Sequence, residues 1–372
     1  MHAEDRHQAI LERLRERGSL RVSEMAHVLS VSAITVRRDV ESLAERGLLT
    51  RVHGGAVLRA GLPGPRAHPV AVTPAVPPRV ARADGRPLVL GLIVPAADYY
   101  FPEIIKGARA AAAERGIRLV LGISQYDPEE ERAQVRRMVE DGVDGLLITP
   151  CGPPDPTTGT GVPHVLIERR PDTDAWGEER VVTDHAHGAR IAVRHLAEAG
   201  REPIALLLRE DSPHAALVLD GYLSGLAAVG LPPGEAAVFR LPAPHTDPAE
   251  RERLFSAFAD RAVSGTLTAA LVHNDHDAIV AFQRLRARGV DIPRGLALVA
   301  YDDEVAALAD IPLTAVAPPK RAVGAAAVDL LVHRLATPDR PAHRVSILPV
   351  LNIRESTVPP TGVPPARSHG LS

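Results

Sequence analysis

From Leu88 onward, apolar runs too continuous for a half-exposed strand alternate with stretches of helical period. LVLGLIVPA (88–96), IRLVLGIS (117–124), VDGLLITP (143–150), PIALLLR (203–209), TAALVHN (268–274) and LALVAYDD (296–303) have the pattern of strands buried on both faces. Between them, IIKGARAAAAERG, PEEERAQVRRMVEDG, ARIAVRHLAEAG, LDGYLSGLAAVG and HDAIVAFQRLRARG place apolar residues at three- and four-residue spacing and mostly end on glycine. Acidic residues open the second of these, where they suit the positive helix end. Alternating buried strands and helices predict an α/β fold with a doubly wound parallel sheet. About 270 residues of this rhythm exceed one comfortable core, so two similar lobes are expected over 87–358.

The front of the chain has another period. HQAILERLRERG sets Ile10, Leu11 and Leu14 on one helical face. VSEMAHVLS predicts a second helix capped by Ser23, with Met25, Val28 and Leu29 inward. Ser32 can cap a third helix running to about Glu45, with Val36, Val40 and Leu43 buried and Thr35, Arg37 and Arg38 turned outward. LLTRVHGGAVL predicts a two-stranded wing with a glycine turn that carries Arg51 and His53. Two short helices with a tight turn, the second opening on hydroxyls and arginines, fit a helix-turn-helix. The same shape also fits a helical protein-interaction module. Asp39 is expected to tie down an arginine or the helix packing.

Composition divides the chain. Residues 1–58 contain no proline, whereas 59–86 are rich in proline, alanine and glycine and predict a semi-extended linker. The tail 359–372 has a disordered composition. The 372 residues carry 43 Lys and Arg against 46 Asp and Glu, so any surface for a polyanion must be local. One cysteine, Cys151, excludes an intrachain disulfide framework and fits a reducing compartment. The charged N-terminus lacks an apolar run of signal-peptide length and no segment suits a membrane span, so a cytoplasmic protein is expected.

The stretch V-S-x-x-T-V-R-R-D-V-x-x-L-x-x-x-G-L-L-x-R-V-H-G-G-A, residues 31–56, closely resembles the winged helix-turn-helix of DeoR-type bacterial repressors. The resemblance implies that Ser32, Thr35, Arg37 and Arg38 meet the major groove or its phosphates, with Arg51 and His53 on the backbone or minor groove. Such groups suit the task, since arginine forks match guanine edges and phosphates. The sugar-phosphate-sensing loop usual after that domain is missing. Residues from 88 onward resemble the sensor of LacI-type repressors instead, through LGLIVP, YFPEIIKGA, VDGLLITP, VPHVLIER, V-T-D-x-x-x-G-A-R-I-A-V-R-H-L, LVHNDHDA, VAYDD and PLTAV. That implies a periplasmic-binding-protein-like clamp of two lobes joined by crossing strands.

Ligands of such sheets sit at the carboxyl ends of strands. The candidates by position are Asp98, Tyr100 and Phe101 after the first strand, with Tyr99 beside them; Glu168 and Arg169 after VLI; and Asn274 and Asp302 in the second lobe. Asp275 fits a helix N-cap and Asp303 a turn. One departure stands out: three residues before Gly221, where such sensors commonly carry an effector-binding arginine, this chain has Val218. That argues against an anionic effector held in the usual manner.

Other chemistries find little support. The pairs His185/His187 and His273/His276 lack the third ligand of a zinc signature, and the sixteen histidines fit surface positions better. No phosphate loop or nucleophile elbow occurs, Ser224 falls mid-helix, and Trp176 falls in a loop-like segment. No cofactor, metal or catalytic residue is expected. The expected protein is a transcriptional regulator, a repressor of carbohydrate uptake or catabolism. It binds double-stranded operator DNA and a small polar, sugar-like effector, and acts as a homodimer or dimer of dimers. The rival readings are a solute-binding or enzymatic protein with a vestigial front domain, and a ligand-dependent activator.

Overall fold

The computed structural model describes residues 3–17, 19–29, 31–45, 49–52, 55–57, 81–82, 84–152, 157, 159–169, 178–232 and 237–358. The chain divides into two units, Met1–Ala75 and Val76–Ser372. Most of the expected linker, the tail 359–372 and Trp176 lie outside the described residues. Part of the segment that composition assigns to the linker is among the described residues. Ala81 bridges Pro87, and Arg82 pairs with Asp144 at 2.6 Å.

In the first unit, α1 (Ala3–Arg17), α2 (Val22–Val28) and α3 (Ala33–Glu45) surround a small core of Ile10, Leu14, Val22, Met25, Val36, Val40 and Leu43. The inward faces of α1 and α3 follow the predicted period. The second helix does not, because it begins at Val22. Ser23 therefore lies inside it, and Val28 is 61% exposed. Strands β2 (Thr50–Val52) and β3 (Gly55–Val57) form the wing, joined by β1 (Ser19–Arg21), which pairs antiparallel with β3. A three-residue strand is too short to show a period.

The second unit holds two sheets. Lobe 1 contains β4 (Val89–Val94), β5 (Arg118–Ile123), β6 (Gly145–Ile148), β7 (His164–Ile167), β8 (Arg180–Thr183) and β14 (Arg344–Ile347), in the order β14-β8-β7-β6-β4-β5. All its pairings are parallel. Helices α4 (Phe101–Glu114), α5 (Pro128–Glu140) and α10 (Lys320–Ala336) cover it. Gly107 on α4 abuts the Arg321 backbone and Gly324 on α10 the Ile104 backbone, so these two helices approach to where neither site has room for a Cβ.

Lobe 2 contains β9 (Ile204–Arg209), β10 (Val238–Leu241), β11 (Ala269–His273), β12 (Ala297–Tyr301), β13 (Thr314–Ala317) and β15 (Val350–Asn352), ordered β10-β9-β11-β12-β13-β15. Only β15 runs antiparallel, against β13. Helices α6 (His185–Glu198), α7 (Ala215–Ala228), α8 (Pro248–Val263) and α9 (Asp275–Ala287) flank it. The chain crosses between the lobes at 183–185, 317–320 and 347–350. Among the described residues no helix is long and apolar enough to cross a membrane.

Candidate functional site

In the first unit, the site is the exposed side of α3. Ser32 Oγ accepts the Thr35 backbone N–H at 3.1 Å and lies 2.9 Å from the Thr35 hydroxyl, closing the first turn as an N-cap. Arg38 is exposed, and Asp39 behind it is buried. Asp39 accepts from Arg6 Nε at 2.7 Å and Nη2 at 3.0 Å, which clamps α1 to α3. Burial works to raise the Asp39 pKa, but the Arg6 guanidinium more than offsets it and holds the carboxyl below its ordinary value. The side chains of Arg37 and Arg51 and the whole of His53 lie outside the described residues.

In the second unit, a cavity of about 610 Å³ opens between the lobes. Its walls are the carboxyl ends of the parallel strands, where dipoles and loops leave polar groups free. Lobe 1 supplies Tyr99, Tyr100, Phe101, Tyr126, Thr149, Cys151, Glu168 and Arg169. Lobe 2 supplies Arg209, Asp211, Ser212, Pro213, His214, His273, Asn274 and Asp302. Six sequence candidates, Tyr100, Phe101, Glu168, Arg169, Asn274 and Asp302, thus meet in one place. Asp98 is exposed and does not line the cavity. Four of the lining residues have left-handed backbones: Tyr99 (φ 48°), Tyr126 (φ 62°), Glu168 (φ 62°) and Asp302 (φ 89°). Such strain costs on the order of 1–3 kcal/mol per residue and collects where a site over-determines its geometry.

Glu168 is buried and accepts from the Thr183 N–H (3.0 Å), the Thr183 hydroxyl (2.7 Å) and the Tyr100 hydroxyl (3.0 Å). Burial pushes its pKa up, but His185, His214 and the Thr183 N–H win and hold it down at about 2. Asp302 behaves oppositely. Burial, helped by Asp275 and only partly countered by Lys320, lifts it to about 6.

Tyr99 crosses the cleft, its hydroxyl donating to Asp275 and, at 3.1 Å, to Asp302. Asp275 is fully buried and also accepts the N–H groups of Glu304 and Val305 (2.7 Å each) and Ala306 (3.2 Å). The N-cap of α9 is therefore Asn274, whose side chain accepts from the Asp277 N–H, and not Asp275 as its spacing predicts. Asp303 has the expected turn backbone (φ 55°) and is bonded to Arg354 at 2.6 Å.

Val218 is buried in the lobe 2 core, yet the cleft does not lack guanidinium groups. Arg209 is tied to Asp211 by two bonds of 2.8 and 3.1 Å. Arg169 donates to the Pro150 carbonyl and stacks over Tyr126, with no carboxylate within 4.0 Å among the described residues. The surface reading of the histidines fails here. His185 and His273 are buried, and His214 is half-buried in the cleft wall, because all three sit at the carboxyl ends of sheet strands or in the segments just after them. Burial holds His214 well below its ordinary value and His273 at about 3. Burial also raises the Cys151 thiol to about 11, which leaves no thiolate. The cleft offers aromatic faces, acceptor carboxylates and forked donors, the chemistry by which pockets bind small polar molecules.

Sequence reasoning missed Tyr126, Thr149, Arg209, Asp211, Ser212, Pro213 and His214. The signal was present, since each ends or follows a strand that the apolar runs mark.

A DeoR-like helix-turn-helix domain model matches residues 6–60, and a periplasmic binding protein-like domain model matches 193–357. The chain is 26% identical over 275 residues to the ribose operon repressor of Escherichia coli K12, covering 71% of this chain and 80% of that one. It is 24% identical over 328 residues to the arabinose metabolism transcriptional repressor of Geobacillus stearothermophilus, covering 84% and 83%. Among solved structures, the transcriptional regulator CelR in complex with cellobiose superposes with a TM-score of 0.63 at 25% identity, covering 88% of this chain and 91% of that one. A LacI family regulator from Enterococcus faecium with bound ribose shares the fold, with a TM-score of 0.59 at 20% identity over 73% and 99% of the two chains. Both of these curated relatives are transcriptional repressors. The chain joins a DeoR-like helix-turn-helix domain to a two-lobed periplasmic-binding-protein-like domain.

Proposed function

We propose that this protein is a DNA-binding transcriptional repressor of a sugar-metabolism operon, released or engaged by a small polyhydroxylated effector in the cleft. The observation that carries the reading is the cleft itself. Buried Glu168 and Asp302 and the rings of Tyr100 and Tyr126 converge at strand ends, in a chain whose front unit is a helix-turn-helix. Residues 1–58 read the operator through Ser32, Thr35, Arg37, Arg38, Arg51 and His53; 59–86 link; 87–358 sense; and 359–372 form a tail. The ligand contacts are Tyr100, Phe101, Glu168, Arg169, Asn274 and Asp302. The protein acts in the cytoplasm as a homodimer or dimer of dimers, because one short winged domain contacts too few base pairs to select a genomic site. Effector binding favours one inter-lobe angle, and a difference of a few kcal/mol between angles suffices for a large change in operator occupancy.

Two measurements test this. Mobility shifts across a salt series with Arg37→Ala/Arg38→Ala are expected to show lost operator affinity and a shallower salt slope. Unchanged affinity and slope would reject the DNA assignment. A thermal-shift screen against pentoses, hexoses and disaccharides is expected to yield a stabilising ligand whose effect disappears in Asp302→Ala. A ligand that stabilises both proteins equally binds elsewhere.

A further inference from the structure

At the base of the cleft a carboxylate of lobe 1 faces an imidazole of lobe 2 with no group bonded between them. Glu168 Oε2 lies 3.7 Å from His185 Nε2, beyond hydrogen-bond range, and each side chain is 1% exposed. His185 Nε2 has no hydrogen-bond partner among the described residues. The other ring nitrogen decides what Nε2 can carry. The Tyr301 hydroxyl donates to the His185 carbonyl at 3.1 Å, so the 3.2 Å contact between His185 Nδ1 and the Tyr301 oxygen has Nδ1–H as donor. With Nδ1 committed to Tyr301, Nε2 is the ring nitrogen left facing the carboxylate, in a dry setting and without a bonded partner. A buried carboxylate facing an unbonded ring nitrogen calls for a positive charge between them, a proton or a metal ion.

A third donor stands close by. Glu168, His185 and His214 each bring a ligand atom within 4.8 Å of the other two. Outer partners already orient the set, with His185 Nδ1 on Tyr301 and Glu168 on Thr183 and Tyr100. Second groups of this kind fix tautomer and ring direction in metal sites.

We propose that Glu168, His185 and His214 form a site for one divalent cation of the zinc class, bridging the two lobes at the floor of the cleft. Two imidazoles and a carboxylate suit Zn2+. Metal–ligand bonds of about 2.0–2.2 Å span less than 4.8 Å across the ion, so binding draws His214 inward. The His185 and His214 rings are stacked, with centroids 3.9 Å apart, and His214 must turn out of that stack. Its place on the cavity wall leaves room to do so. The fourth coordination position then faces the cavity, open to water or to an effector oxygen. Because Glu168 belongs to lobe 1 and both histidines to lobe 2, the ion favours the closed arrangement.

The test uses the full chain, stripped with a chelator and titrated with Co2+ and then Zn2+, without effector or DNA. One equivalent of Co2+ per chain is expected, with the visible absorption of a low-symmetry nitrogen–oxygen site and displacement by Zn2+. His214→Ala and Glu168→Gln are each expected to weaken binding at least about ten-fold, while His245→Ala, at an exposed histidine, leaves it unchanged. Thermal melts establish that each variant is folded. Absence of a stoichiometric ion in the unaltered chain overturns the proposal, leaving a proton as the charge between Glu168 and His185. Equal affinity in His214→Ala overturns it as well. Since the readout needs neither sugar nor operator, its failure is separate from failure of the repressor reading.

Discussion

Asp302 shows how one buried side chain couples the cleft to pH. Its pKa of about 6 lies above the ordinary 3.8, so the folded protein holds this proton more tightly than the unfolded chain does. The stability that it contributes is therefore complete below about pH 4 and is lost as pH rises through 6. Asp302→Asn removes the penalty of the buried charge, and asparagine tolerates the left-handed backbone there. The variant is expected to melt higher than wild type at pH 8, by on the order of 3 kcal/mol, with the gap closing by pH 4. Thermal melts across that range check it, and a pH-independent gap would contradict the assignment. Tyr100, Phe101, Glu168, Arg169, Asn274 and Asp302 were legible in the sequence because each follows a recognisable strand. Neither the opposite pKa directions of Glu168 and Asp302 nor the buried partners of Asp275 were legible, because both depend on what other segments bring alongside.

Elements were legible where their period was long. The thirteen residues of α3 follow their apolar spacing, and Ser32 caps the helix as its hydroxyl and position require. Removing that acceptor in Ser32→Ala is expected to lower the stability of the front unit by about 1 kcal/mol and to fray the end that carries Thr35. Chemical denaturation followed by circular dichroism reads the loss. Unchanged stability would mean that Ser32 is free for another role. The seven-residue α2 escaped the same reasoning. Two turns give too few apolar positions to set a phase, and the three residues of β1 give none. At the start of α9, Asn274 and Asp275 are both good caps by type. Only the loop 304–306, which returns to bind Asp275, decides that Asn274 takes the position.

At the scale of the sensing unit, Tyr99 links the lobes across the cavity, with both its acceptors in lobe 2. Hydrogen bonds to carboxylates contribute about 1.5–3 kcal/mol each, a scale that biases closure without locking it. Tyr99→Phe is expected to populate open lobes, to speed amide exchange over 302–306, and to weaken effector affinity about ten-fold, since only the closed fraction binds. Exchange mass spectrometry of the two proteins decides the matter, and equal protection would remove Tyr99 from the closing mechanism.

By itself the sequence determined the alternation of the longer strands and helices, the break in composition after residue 58, and the two resemblances that the domain matches bear out. Those features depend on local spacing, propensity and motif, which a linear chain carries in full. Only the tertiary structure decided that strand ends from both lobes meet in one cavity, that Val218 packs inward while Arg169 and Arg209 face the cleft, and that Glu168, His185 and His214 converge. Burial, pairing and pKa are properties of neighbours distant in sequence, and three chain crossings between lobes set which neighbours those are.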